Sequence, residues 1–160
     1  MNPLFKTTKK GTLGELIVQL QLLEHGVQAA PPIKDSGNDL IAILGSAFRA
    51  VQVRTTCCNY ISKPKVEVRY HILAVVRLPK RDGRFSTREA EVFLFDKRRV
   101  AKLSRRLSDY RERLITHDLI AKLFKPNPKG NADEVAGVVD RPLATVVEPE
   151  PEMAGLPGTA

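Results

Sequence analysis

Asp39, Gln52 and Arg54 place a carboxylate, an amide oxygen and a permanent cation close together in one short stretch of sequence. The stretch reads DLIAIL-GS-AFRAVQVR, two β-rich runs separated by Gly45-Ser46, which predicts a hairpin with glycine in the first turn position. A two-residue turn sets Leu44 opposite Ala47, and stepping back along both strands sets Asp39 opposite Gln52. Residues two apart on a strand share a face, so Gln52 and Arg54 project to the side of Asp39. A register slip of one residue would scatter the three. An acid, a second oxygen donor and a cation on one face suit metal-assisted phosphodiester cleavage. Hard oxygens hold Mg²⁺, the metal acidifies a bound water, and the cation stabilises the anionic transition state. Glu15 supplies a further carboxylate.

Glu15 belongs to KGTLGELIVQLQLLEHG, residues 10–26, where Leu13, Leu16, Ile17, Leu20 and Leu23 form a broad apolar face at helical spacing. Thr12 with Glu15 fits a capping box, and Gly26 fits a left-handed stop. Val27 to Ala30 predicts a short strand. Residues 66–78 predict a central strand and residues 90–96 its partner, joined through the polar run PKRDGRFSTRE. Asp96 can cap a following amphipathic helix marked by Val100, Leu103, Leu107, Tyr110 and Leu114, and Thr116 a final short one. The expected class is α/β: a mixed central β-sheet flanked by helices, in the order α-β-β-β-β-β-α-α.

GTLGE (11–15), NDL (38–40) and QVR (52–54), in this order and spacing, resemble the PD-(D/E)XK nucleases, with their restriction-endonuclease-like core. The resemblance is closest to the branch of archaeal Holliday-junction resolvases and an intron-encoded homing endonuclease with glutamine in the third motif. It covers residues 8–56 well and 66–115 more loosely. It implies Glu15, Asp39, Gln52 and Arg54 as catalytic residues, with Mg²⁺ (or Mn²⁺) held by Asp39, the Gln52 carbonyl oxygen, the Val53 backbone carbonyl and Glu15. The family has lysine where Arg54 stands, and arginine cannot act as a base. Lys34, Lys63 or Lys65 would be a replacement amine arriving from a neighbouring loop.

The chain has 160 residues and a net charge of +8. Residues 126–160 carry two basic and six acidic side chains, leaving 24 against 12 in residues 1–125. A domain this basic attracts polyanions. Lys9, Lys10, Arg98, Arg99, Lys102, Arg105 and Arg106 are the expected nucleic-acid contacts, with DNA, duplex or branched, as the partner. Relatives of the fold often dimerise, so a homodimer is a second expected partner. The adjacent Cys57 and Cys58 fit a reducing compartment and offer no zinc spacing. The basic N-terminus lacks a signal-like apolar stretch, and no run is long enough to span a bilayer, so a cytoplasmic protein without membrane association is expected. The three histidines form no metal or catalytic cluster, and no P-loop motif occurs. Residues 1–125 are read as the nuclease-like domain and 126–160 as a Pro-rich, acidic, largely disordered tail. Two functions fit: a metal-dependent DNA endonuclease, or a catalytically degenerate nucleic-acid-binding or regulatory module on the same fold. Singly, each site residue also has an ordinary reading, Glu15 as a capping residue, Asp39 as a turn residue, and Gln52 and Arg54 as a solvated strand face.

Overall fold

The computed structural model describes residues 6–33, 37–61, 70–100 and 106–125, with side chains from residue 9 onward. Helix α1 spans Lys6–Glu24 and ends at Gly26, whose φ of 77° suits a residue without a β-carbon. The helix begins earlier than its capping motif predicts, so Thr12 and Glu15 lie within it rather than at its start. Strands β1 (Gln28–Ala30), β2 (Leu40–Leu44) and β3 (Ala47–Thr56) follow. Gly45, with φ 58°, opens the β2–β3 turn, and Leu44 pairs with Ala47 and Leu40 with Val51, the register the turn dictates.

Strand β4 spans Ile72–Arg77, and residues 72–76 are all buried, as befits a central strand covered on both faces. The first part of the predicted 66–78 strand falls partly on residues outside those described; Tyr70 and His71 precede β4 rather than belonging to it. Next come a small hairpin, β5 (Lys80–Arg81) and β6 (Arg84–Phe85), a 3₁₀ turn at Thr87–Glu89, and β7 (Glu91–Asp96). Asp82 and Gly83, with φ of 49° and 75°, make the β5–β6 turn. This Asp-Gly signal lies in the segment read from sequence only as a connection.

The main sheet has the order β1-β2-β3-β4-β7, with β3 and β4 parallel and the other pairs antiparallel. It is a five-stranded mixed sheet flanked by helices, the α/β class expected from the sequence. On one face α1 and α3 (His117–Leu123) cover Leu40, Val51, Val53, Ile72, Ala74, Val92 and Leu94. On the other, Leu73, Val75, Phe93 and Phe95 pack with Ile61, Tyr70, Val100 and Leu107. Thr116 caps α3 by accepting the Leu119 N–H.

Two expectations change. The helix predicted from Asp96 onward is interrupted: among the described residues α2 is Lys97–Val100, Arg106 is extended and bridges Tyr60, and a 3₁₀ segment at Leu107–Arg113 breaks helical geometry at Tyr110. Arg98, Lys102 and Arg106 stand four apart, and like charges at that spacing oppose a continuous helix. Tertiary contacts supply the alternative, since Leu107 donates its N–H to Asn59 and is fully buried, and Tyr110 packs edge-on against Phe95. The second change is on α1, where Ile17, Val18 and Leu22 enter the core while Leu16, Leu20 and Leu23 face outward.

Candidate functional site

Strand β3 runs past β2. Beyond the Asp39–Gln52 level its β2-side edge is open, and the polar residues gather there. The Asp39 N–H donates to the Val51 carbonyl at 3.1 Å, one residue off the Leu40–Val51 pairing, so the backbone ladder ends here and the Asp39 side chain turns onto the β3 edge beside Gln52. Asp39 Oδ2 accepts the Val53 backbone N–H at 2.6 Å and an amide N–H from Gln52. N–H and C=O of one strand residue leave the same edge, so the Val53 carbonyl also points to the Asp39 side. Both hydrogen bonds fall on Oδ2 and leave Oδ1 to face other partners.

Gln52, only 5% exposed, is the one buried polar side chain in the core among the described residues. Its nitrogen points at Asp39, and it does not line the cleft described next. In this orientation Gln52 fixes the Asp39 carboxylate, a different part from the metal-binding oxygen expected of it.

A cleft of about 380 Å³ wraps the open edge, lined by Lys10, Gly11 and Glu15 from α1, by Asp39, by Val53 to Thr56 of β3, and by Val75. Glu15 comes from the helix side, whereas Gln52 and Arg54 alternate with Val53 and lie on the other face of the sheet, where the Arg54 charge is felt by Tyr70. Glu15 and Asp39 therefore meet at the strand edge rather than one above the other. Burial raises the Glu15 pKa above its usual value, and the Asp39 charge raises it further. The helix can come this close because Gly14 lies against Thr55; a β-carbon there would collide with the Thr55 hydroxyl and stand 3.1 Å from its Cβ.

Among the described residues, no three His, Cys, Asp or Glu side chains are grouped to hold a metal. The donors are instead two carboxylates, Asp39 and Glu15, and the Val53 carbonyl. Such a hard-oxygen set suits Mg²⁺, which keeps several waters and takes one or two carboxylates. Lys34, Lys63 and Lys65, the candidate replacement amines, lie outside the described residues. An amine is nonetheless present: Lys10, which sequence reading placed on the nucleic-acid surface, lines the cleft.

Of the other basic residues, Lys9 is exposed on α1, Arg98 and Arg99 are exposed on α2, and Arg106 is exposed in its bridge to Tyr60. Arg98 also pairs with Asp96, which burial pushes up in pKa but which the Arg98 hydrogen bonds and charge bring below the usual range. Lys102 and Arg105 lie outside the described residues. The β5–β6 hairpin adds Lys80, Arg81 and Arg84, all exposed, with Arg81 directly opposite Arg84. Like charges so placed destabilise a hairpin, although Glu89 pairs with Arg81. The Leu78 N–H bonds the carbonyl of Thr56, so this hairpin springs from the cleft end of the sheet. No helix among the described residues is long and apolar enough to cross a membrane.

No family model matches this chain, and no curated protein matches it. Among solved structures it is similar to a bacterial homing endonuclease, at a TM-score of 0.40 and 13% identity, over 83% of this chain and 88% of that one.

Proposed function

We propose that this protein binds DNA and hydrolyses its phosphodiester bonds with the help of a divalent cation, Mg²⁺ or Mn²⁺. The observation that carries the reading is the Asp39 carboxylate, held on the open edge of β3 by Val53 and Gln52, with Glu15 and Lys10 across the same cleft. Asp39, Glu15 and the Val53 carbonyl would hold the cation, which when bound supplies Lewis acidity and lowers the pKa of a water. Gln52 keeps Asp39 in place. Arg54 lines the cleft, and its guanidinium can hold a phosphate oxygen. Lys10 offers the compact amine that the third motif lacks, able to orient the attacking water. Arg81 and Arg84, on the hairpin at the cleft end of the sheet, bind flanking phosphates, while Arg98 and Arg99 stand beyond Asp96 at the other end.

A second reading is favoured by one observation. Among the described residues two carboxylates, Asp39 and Glu15, meet at the cleft, and Gln52 presents nitrogen rather than oxygen to Asp39. A site so lightly charged would bind metal weakly, and the protein would then be a DNA-binding module without cleavage.

The test is cleavage of branched, linear and single-stranded DNA with Mg²⁺ or Mn²⁺ by wild type, Asp39→Ala, Lys10→Ala and Arg54→Lys. The endonuclease reading expects cleavage that Asp39→Ala and Lys10→Ala abolish and Arg54→Lys retains or raises. DNA binding without cleavage in wild type and Arg54→Lys alike selects the second reading.

A further inference from the structure

Helix α1 is apolar on two sides. Ile17, Val18 and Leu22 fill the core, while Leu16, Leu20 and Leu23 are 55%, 58% and 61% exposed. The three exposed leucines sit at steps of four and three, one continuous stripe along the outer face. A helix apolar all round is expected in a buried position, and a clustered exposed patch marks a contact surface. A shallow groove lined by Gln19, Leu20, Leu23, Gln28 and Ala29 continues the stripe onto β1, the edge strand. Its lining is uncharged. Among the described residues the stripe is flanked by charge at its two ends, with exposed Lys9 toward the N-terminus and exposed Glu24 at the C-terminus.

We infer that this face pairs with the same face of a second copy, the two α1 helices running antiparallel. Isologous pairing requires a surface that is its own complement, and the stripe meets that requirement. An antiparallel pair that sets Leu16 against the partner copy's Leu20 also sets Leu20 against its Leu16. Glu24 then falls opposite Thr12 of the other copy, and Lys9 lies three residues, about 4.5 Å of helix, beyond it. A lysine stem spans that distance, so two Lys9–Glu24 pairs flank the leucines. Parallel pairing would set lysine near lysine and glutamate near glutamate.

The stripe lies on the side of α1 opposite Val18 and Leu22, which face the core, so a two-fold axis perpendicular to the helix and parallel to the sheet stacks the two stripes and reverses the partner helix. Strand β1 has only three residues and is followed by Pro31 and Pro32, which blunts edge pairing. The helices therefore carry the contact, with each groove receiving leucine from the other copy. The interface lies on α1's outer face and does not depend on the endonuclease reading.

The test is sedimentation equilibrium of the full chain between about 1 µM and about 100 µM, a range that reports micromolar association. Wild type is expected to reach twice the 17.8 kDa chain mass. Leu20→Glu should weaken association by roughly tenfold or more while leaving the circular dichroism spectrum and melting temperature of the monomer unchanged, because Leu20 is not in the core. Glu24→Lys should weaken it less, and Lys9→Glu combined with Glu24→Lys should recover wild-type association. A monomer throughout the range would overturn the inference, as would a dimer indifferent to Leu20→Glu. Dissociation by Leu20→Glu without rescue by the charge exchange would overturn the antiparallel arrangement.

Discussion

Gly14 of α1 rests against Thr55 of β3 with no room between them for a β-carbon, and this contact holds the helix that carries Lys10 and Glu15 beside the strand that carries Val53 and Arg54. Gly14→Ala would meet the hydroxyl of a stiff β-branched side chain and, beyond it, the Thr55 Cβ at 3.1 Å. The helix must then move away from the strand. The expected cost is about 1–3 kcal/mol of stability, the usual range for overpacking. Thr55→Ala should recover part of it, and a double-mutant cycle by urea denaturation measures the coupling. Additive effects would show that the contact is slack.

Gln52 donates to the same Asp39 oxygen that the Val53 N–H reaches. Gln52→Leu keeps the volume near constant but removes the clamp. Divalent-ion affinity, titrated by calorimetry, should fall by roughly 10–100-fold, as when other residues that orient a metal ligand are lost. Asp39→Asn should keep the bond to Val53 through its amide oxygen, preserve the fold, and lose ion binding altogether. Retained ion binding in Asp39→Asn would move the metal elsewhere.

Glu91 faces Arg77 across the β4–β7 pair and also binds Arg111. Burial pushes its pKa up, but the hydrogen bonds and charges of the two arginines outweigh burial, and the net shift is downward from 4.5. A depressed carboxylate stabilises the fold above its unfolded pKa, and that contribution disappears as pH falls through the lower folded value. Glu91→Gln should therefore melt roughly 3–6 °C below wild type at neutral pH, the shift expected for about 1 kcal/mol in a domain of this size. The gap should close as the pH drops below 4.5. A gap that stays constant through that titration would assign the loss to packing.

Arg81 and Arg84 stand opposite each other at the tip of the β5–β6 hairpin. If both contact DNA phosphates, the double alanine variant weakens binding to all sequences alike. It also flattens the dependence of log affinity on log salt by roughly 1.8, about 0.9 per lost contact. Fluorescence anisotropy across a salt series measures this. An unchanged slope would leave the hairpin as a solvated loop.

Some of this was determined by sequence alone. Gly45-Ser46 set the β2–β3 register, because a two-residue turn leaves no freedom in pairing, and from it followed the juxtaposition of Asp39 and Gln52. Gly26, Thr116 and the unbroken apolar run at 72–76 likewise marked elements by local chemistry. Other features depended on packing. Periodicity showed α1 to be apolar but not that Leu16, Leu20 and Leu23 would face outward, since a helix apolar on two sides does not say which side meets the sheet. The regular spacing after Asp96 predicted one long helix, but tertiary bonds to Asn59 and Tyr60 drew Arg106 and Leu107 out of it. Lys10 reached the cleft, and Gln52 turned its nitrogen to Asp39, through contacts between residues far apart in sequence. Local turns fix register within a hairpin, whereas only the docking of helix on sheet fixes which side chains share a cleft.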